Sequence, residues 1–154
     1  MISRWRNSIS RSCNIQKAMA FIKGLASSFD LHMLQSVTFT PTTRTSITTG
    51  HCLFPSGEKH KGQSKQGYRL VCRIAPDITW PASEEIVIGF NKNRKPVVEV
   101  VEYVNPDEAL VWIAGHEFFH FLRDSRQVPG RNVECQANLF GLKWLREFRE
   151  KSAA

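Results

Sequence analysis

His116-Glu117-Phe118-Phe119-His120 reads H-E-x-x-H, a pattern that sets two imidazoles and one carboxylate around a zinc ion when it lies on a helix. A helix turns about 100° per residue, so His116 and His120 fall one turn apart on the same face. Two neutral imidazoles at that spacing can hold one metal at about 2.0–2.1 Å. Glu117 is rotated off that face but stays beside it. There it can take a proton from a water molecule instead of ligating the ion.

The flanking residues supply the helix. Asn105-Pro106-Asp107-Glu108 is a helix start: Asn is a good N-cap, Pro suits the first helical position, and Glu three residues after the cap completes a capping box. From there Ala109 to Gly115 carries an apolar run into the motif, and Phe118, Phe119, Phe121 and Leu122 continue it. A helix apolar on nearly all sides is a buried one. Two His and one Glu inside it are costly to bury without partners, and a metal removes that cost. The plain alternative is a pair of core histidines satisfied by hydrogen bonds, with Glu117 at the surface.

A third ligand is then needed. Metzincin-type proteases place a third His six residues after the second one. That position here is Arg126, which cannot ligate a metal. Asp124, four residues after His120, shares its helical face and is the alternative ligand. Arg123 and Arg126 flank it, which also suits an ordinary solvent-facing charge. Glu134 is the stronger candidate. Pro129-Gly130 marks a turn, Asn132 can cap a new helix from Val133 to about Arg149, and Glu134 falls in its first turn, folded back toward the first helix. A Glu in a first turn is also favourable against the helix dipole without any metal. Asn138 lies one turn further along the same face, where it can hydrogen-bond a ligating His and fix its ring.

His116-Glu117-x-x-His120, followed by Glu134-Cys-Gln-Ala-Asn-Leu-Phe-Gly-Leu-Lys-Trp-Leu, resembles the small Glu-zincin metallopeptidases. The second block is similar to the E-x-x-A-N-x-F-A-x-x-L helix of ImmA/IrrE-type metallopeptidases, and the first block and the chain's size resemble SprT-like domains. The resemblance covers roughly residues 100–149. It implies a few-stranded sheet packed on an active-site helix, with the edge strand binding extended peptide. It further implies His116, His120 and Glu134 as Zn²⁺ ligands and Glu117 as the base.

Composition bounds the rest. The chain has 154 residues, one domain by the usual prior and enough to bury a core. Its net charge of +7 is uneven, because residues 1–29 carry Arg4, Arg6, Arg11, Lys17 and Lys23 and no acid. A second cluster, Lys59, Lys61, Lys65, Arg69 and Arg73, lies in and after a loop. Solvated loop and tail explain both. A nucleic-acid partner stays open on charge alone, but no recognised binding motif accompanies it. Cys13, Cys52, Cys72 and Cys135 are far apart with no C-x-x-C, which suits free thiols in a reducing compartment. No stretch reaches transmembrane length. A cytoplasmic location is expected. The Arg- and Ser-rich, acid-free N-terminus also resembles a mitochondrial transit peptide; the other reading is a disordered leader, with Met19 or Met33 open as the true start.

The expected organisation is a disordered basic leader over residues 1–14 and one zincin-like domain over 15–150. The fold class is α+β: a few-stranded, mostly antiparallel sheet packed on the H-E-x-x-H helix and a C-terminal helix bearing Glu134. The spacing of Ile15, Met19, Ile22, Ala26 and Phe29 predicts a helix from Ile15 to about Leu34. Residues 36–54 read as one or two short strands, and 56–67 as an exposed loop. Three strands follow, Tyr68–Ala75, Glu85–Phe90 and Pro96–Val104, the last two joined as a hairpin by Asn91-Lys-Asn-Arg-Lys. The expected function is zinc-dependent hydrolysis of a peptide or protein substrate, with Tyr103, His51, His60, Arg126 and Arg131 all open as the oxyanion donor. The alternative is a non-catalytic regulatory or nucleic-acid-associated protein whose zinc only holds the fold. Such a site would be closed by a fourth protein ligand, which Cys135 or Asp124 could supply.

Overall fold

Alternation of apolar and polar residues in Tyr68-Arg-Leu-Val-Cys-Arg-Ile buries Tyr68, Leu70, Cys72 and Ile74 on one face of a strand, as a half-buried sheet requires. This strand is central to the fold of the computed structural model, which describes residues 4–9, 13–42, 46–55, 67–75, 77–131 and 133–153. The elements in order are β1 (Trp5–Asn7), α1 (Gln16–Ala26), β2 (Leu34–Pro41), β3 (Thr48–Leu53), β4 (Tyr68–Ile74), β5 (Ala82–Phe90), β6 (Pro96–Tyr103), α2 (Pro106–Asp124) and α3 (Glu134–Ala153). Strands and helices together make an α+β fold. The expected loop at 56–67 lies, but for Gly67, outside the described residues, as do Arg11, Lys59, His60, Lys61, Lys65 and the proposed cap Asn132.

Four strands form one sheet in the order β1-β2-β4-β3, and β5 and β6 form a separate antiparallel hairpin. The hairpin agrees with the sequence reading. The larger sheet does not agree with the expectation of mostly antiparallel pairing: β1 and β4 both pair parallel to β2, and only β3 runs antiparallel to β4. Parallel neighbours need a crossover connection, and α1 supplies one between β1 and β2.

A second correction concerns the leader. Residues 5–7 form β1, and Trp5 stacks on Phe39 and Phe118 at 6.1 Å from each ring. Ile9 is fully buried. The basic composition of the N-terminus concealed two apolar anchors. The first helix also ends earlier than its periodicity predicts, at Ala26. The hydroxyls of Ser27 and Ser28 donate to the carbonyls of Gly24 and Leu25 at 2.6 and 2.8 Å. Such side-chain bonds compete with a continuing helix.

Helix α2 lies between the sheet and α3, and residues 108–119 are all buried. Its start is as the sequence predicts: the Asn105 side chain accepts from the Glu108 N–H at 3.0 Å. Glu108 reaches back to accept from the Val104 N–H at 3.1 Å and pairs with Arg149 of α3 at 2.8 Å. The two helices meet at Gly115 and Gly141. A Cβ on Gly115 would stand 2.8 Å from the Gly141 Cα, so only glycine permits this approach. No helix among the described residues is long and apolar enough to cross a membrane.

Candidate metal centre

Helix α2 brings His116 and His120 to one face, with their Nε2 atoms 3.2 Å apart. Helix α3 delivers Glu134 from its first turn. Its Oε2 lies 3.2 Å from His116 Nε2 and its Oε1 3.1 Å from His120 Nε2. These three side chains could hold a metal ion. Their spacing fits one, because a tetrahedral ion with contacts of about 2.0–2.1 Å sets its ligand atoms about 3.3–3.4 Å apart. The donor set, two imidazoles and a carboxylate, suits zinc. The imidazoles are nearly buried, whereas the Glu134 side chain is 75% exposed, so the cluster opens to solvent on one side.

Asn138 orients the first ring. Its Oδ1 lies 2.8 Å from His116 Nδ1, and its Nδ2 donates to the Val87 carbonyl at 2.7 Å. With the amide nitrogen spent on that carbonyl, Oδ1 is an acceptor and His116 Nδ1 is the donor. The lone pair of His116 is thereby left on Nε2, the atom that faces Glu134. Burial pulls the His116 pKa down, but its bond to Glu134 and the charges of Glu117 and Glu134 outweigh this and hold it above the usual value. Glu134 is held below the usual carboxylate range, chiefly by that same bond.

Glu117 is 3% exposed and sits beside the cluster, with Oε1 3.7 Å from His116 Nε2. Burial pushes its carboxyl up to about 7, against the pull of His116 and with a push from Glu134. The room for it is made by Gly50 on β3, where a Cβ would meet Glu117 Oε1 at 2.8 Å and the Val71 carbonyl oxygen at 2.6 Å. The sequence reading missed Gly50. A glycine inside a run of β-branched residues is the signal that could have found it, because it marks a close approach.

The remaining candidates are dispersed. Asp124 is outside the cluster and accepts a 2.5 Å hydrogen bond from the Tyr68 hydroxyl. Tyr103 is fully buried and donates to Glu84 at 2.9 Å. Arg131 is exposed, and its backbone N–H donates to Gln136. His51 alone of the expected oxyanion donors lines the cavity at the cluster, among the described residues. Its Nδ1 lies 3.3 Å from Arg73 Nη1. A guanidinium only donates, so a neutral His51 carries its proton on Nε2. Burial, with Arg73 and Arg69, holds the His51 pKa below the usual value.

Two cavities flank the centre. One, of about 260 Å³, lies against β3 toward Cys52 and Phe54. The other, of about 380 Å³, lies between Thr48–Gly50 of β3 and Glu84–Val87 of β5. Gly50, His116, Glu117 and Glu134 line both, so the cleft passes over the cluster. Comparison with models of protein families, with curated proteins and with solved structures found no match to this chain.

Proposed function

We propose that the chain is a zinc-dependent peptidase. The observation that carries the reading is the pairing of two kinds of group at one place. Three donor atoms converge from two helices at ion-ligand spacing. Beside them stands a buried carboxylate, Glu117, that is not part of the set. A zinc site that only held the fold would have no use for such a base and would be closed by a fourth protein ligand. Among the described residues no cysteine or second acid joins the cluster.

The chemistry that a zinc ion supplies there is Lewis acidity toward water and toward the scissile carbonyl. The chain's own residues do the rest. Glu117, buried beside the cluster, accepts the proton of the attacking water and delivers it to the leaving amine. Asn138 keeps the His116 ring in one tautomer and orientation. Among the described residues β3 is an edge strand of its sheet and lines the cleft, and an edge strand pairs readily with an extended peptide.

The experiment compares wild-type protein with Glu117→Gln on a diverse peptide library, with zinc content measured on both. The wild type should cleave, lose activity to a chelator and regain it with zinc. The variant should keep its zinc and lose about 10²–10⁴-fold in rate. Equal turnover by the two proteins would refute Glu117 as the base.

A further inference from the structure

The cleft has two strand edges, and both present backbone groups to it. On β3 the Ile47 carbonyl accepts from Ala75 on the β4 side. Orientation alternates along an antiparallel strand, so Thr49, His51 and Leu53 also turn their backbone groups toward β4. Thr48, Gly50 and Cys52 turn theirs away from it. The Thr48 N–H, which reaches Glu84 Oε2 at 3.3 Å, agrees with this.

The same parity applies to β5. The Val87 carbonyl leaves the hairpin to meet Asn138, and the carbonyl of Glu102, cross-strand partner of Ser83, leaves it to meet Arg149. The register is regular from Ala82 to Val87. Ser83, Glu85 and Val87 therefore direct their N–H and C=O groups away from β6.

The two edges belong to different sheets and, among the described residues, are not paired by backbone hydrogen bonds. Near Thr48 they are spanned by a whole side chain: Glu84 accepts from the Thr48 hydroxyl at 2.7 Å and from Tyr103 at 2.9 Å. At the other end Asn138 holds Val87 to the metal-site helix. A cavity of about 380 Å³ lies between the two edges, lined by Thr48–Gly50 on one side and Glu84–Val87 on the other.

We infer that the cleft takes a polypeptide segment in extended form as a middle strand, hydrogen-bonded to Gly50 and Cys52 of β3 on one side and to Glu85 of β5 on the other. The inference rests on the peptidase reading of the same site. It makes the substrate an unfolded or locally extended chain, because a helix or a folded surface cannot offer backbone groups on two opposite edges. It also makes the hold on the substrate unequal. On the Thr48 side of the centre two strands grip it, and on the Phe54 side β3 alone does.

The test uses the zinc-loaded, full-length Glu117→Gln protein and a reduced, carboxymethylated polypeptide as probe. Hydrogen exchange should slow at the amides of Gly50, Cys52 and Glu85 together. Wild-type turnover of the same polypeptide is then compared with Glu85→Pro and with Val100→Pro. These two residues are cross-strand partners, so proline removes the amide facing the cleft in the first and the amide facing away from it in the second. Glu85→Pro should lower kcat/KM about tenfold, with zinc content unchanged, and Val100→Pro should not. Protection of Gly50 and Cys52 without Glu85 overturns the two-edged clamp while leaving the peptidase reading intact. A Glu85→Pro protein that cleaves as well as wild type overturns it too. Slowed exchange on both edges with no cleavage by wild type would uphold the clamp and refute the peptidase.

Discussion

Replacing Gly50 by alanine adds one methyl group at the narrowest point of the site. Its carbon would stand 2.6 Å from the Val71 carbonyl oxygen, 2.8 Å from Glu117 Oε1 and 3.0 Å from Glu117 Cγ. Carbon contacts are comfortable only near 3.5–4.0 Å, so about 1 Å of overlap must be relieved. The Val71 oxygen belongs to the backbone of β4 and has little freedom, so β3 must lift or Glu117 must turn aside. Overpacking of this kind costs about 1–3 kcal/mol. For a chain of this size that corresponds to a fall in Tm of roughly 2–12 °C. The atoms nearest the added methyl belong to Val71 and Glu117 and not to the candidate zinc ligands, so metal content should hold at one ion per chain. Peptide turnover should fall by roughly 10²-fold, because the displaced base is the one that moves the proton. Differential scanning calorimetry, metal analysis and the peptide assay read the three quantities on one preparation. An alanine variant with the wild-type Tm and wild-type turnover would refute the close contact between β3 and Glu117.

His116→Ala or His120→Ala should abolish tight zinc binding, as followed by competition with a chromophoric chelator; stoichiometric zinc on the double variant would contradict the ligand assignment. In the same assay Glu134→Gln should weaken zinc far more than Asp124→Asn, since Asp124 is engaged with Tyr68 instead; the reverse order would move the third ligand to Asp124. Asn138→Ala should weaken zinc by about 10–100-fold through loss of the hold on the His116 ring. Zinc affinity should fall as pH is lowered, because metal and proton compete for the His116 imidazole. The raised His116 pKa starts that fall at a higher pH than an ordinary histidine would. A flat affinity between pH 8 and pH 6, on the order of two units of titration, would count against His116 as a ligand.

Local chemistry made α2 legible in the sequence. The Asn105 cap, Pro106 and the apolar run act over a few residues, and the helix forms where they predict. Glu134 could be reached because a Pro-Gly turn and one helical turn fix its direction. The strand order was not legible, because parallel pairing of β2 with β1 and β4 depends on contacts across the whole chain. Trp5 and Ile9 were hidden in a basic stretch whose composition suggested solvent, although each has a buried apolar surface to cover. Glu84 and the Val87 carbonyl were out of reach for another reason: their role depends on where the hairpin is set relative to β3, which no local pattern encodes.

The contact between Gly115 and Gly141 bears on how the metal is acquired. The candidate metal ligands sit on the two helices that this contact locks together, His116 one residue from Gly115 and Glu134 two turns before Gly141. Their separation is therefore fixed by helix packing rather than by the ion. In many small metalloproteins the free energy of metal capture is spent on ordering the chain. If helix packing alone sets the cage, the apoprotein should remain folded, and loading should resemble insertion into a rigid socket. A chelator would then strip the ion without unravelling the chain, and the protein could cycle between loaded and empty forms many times.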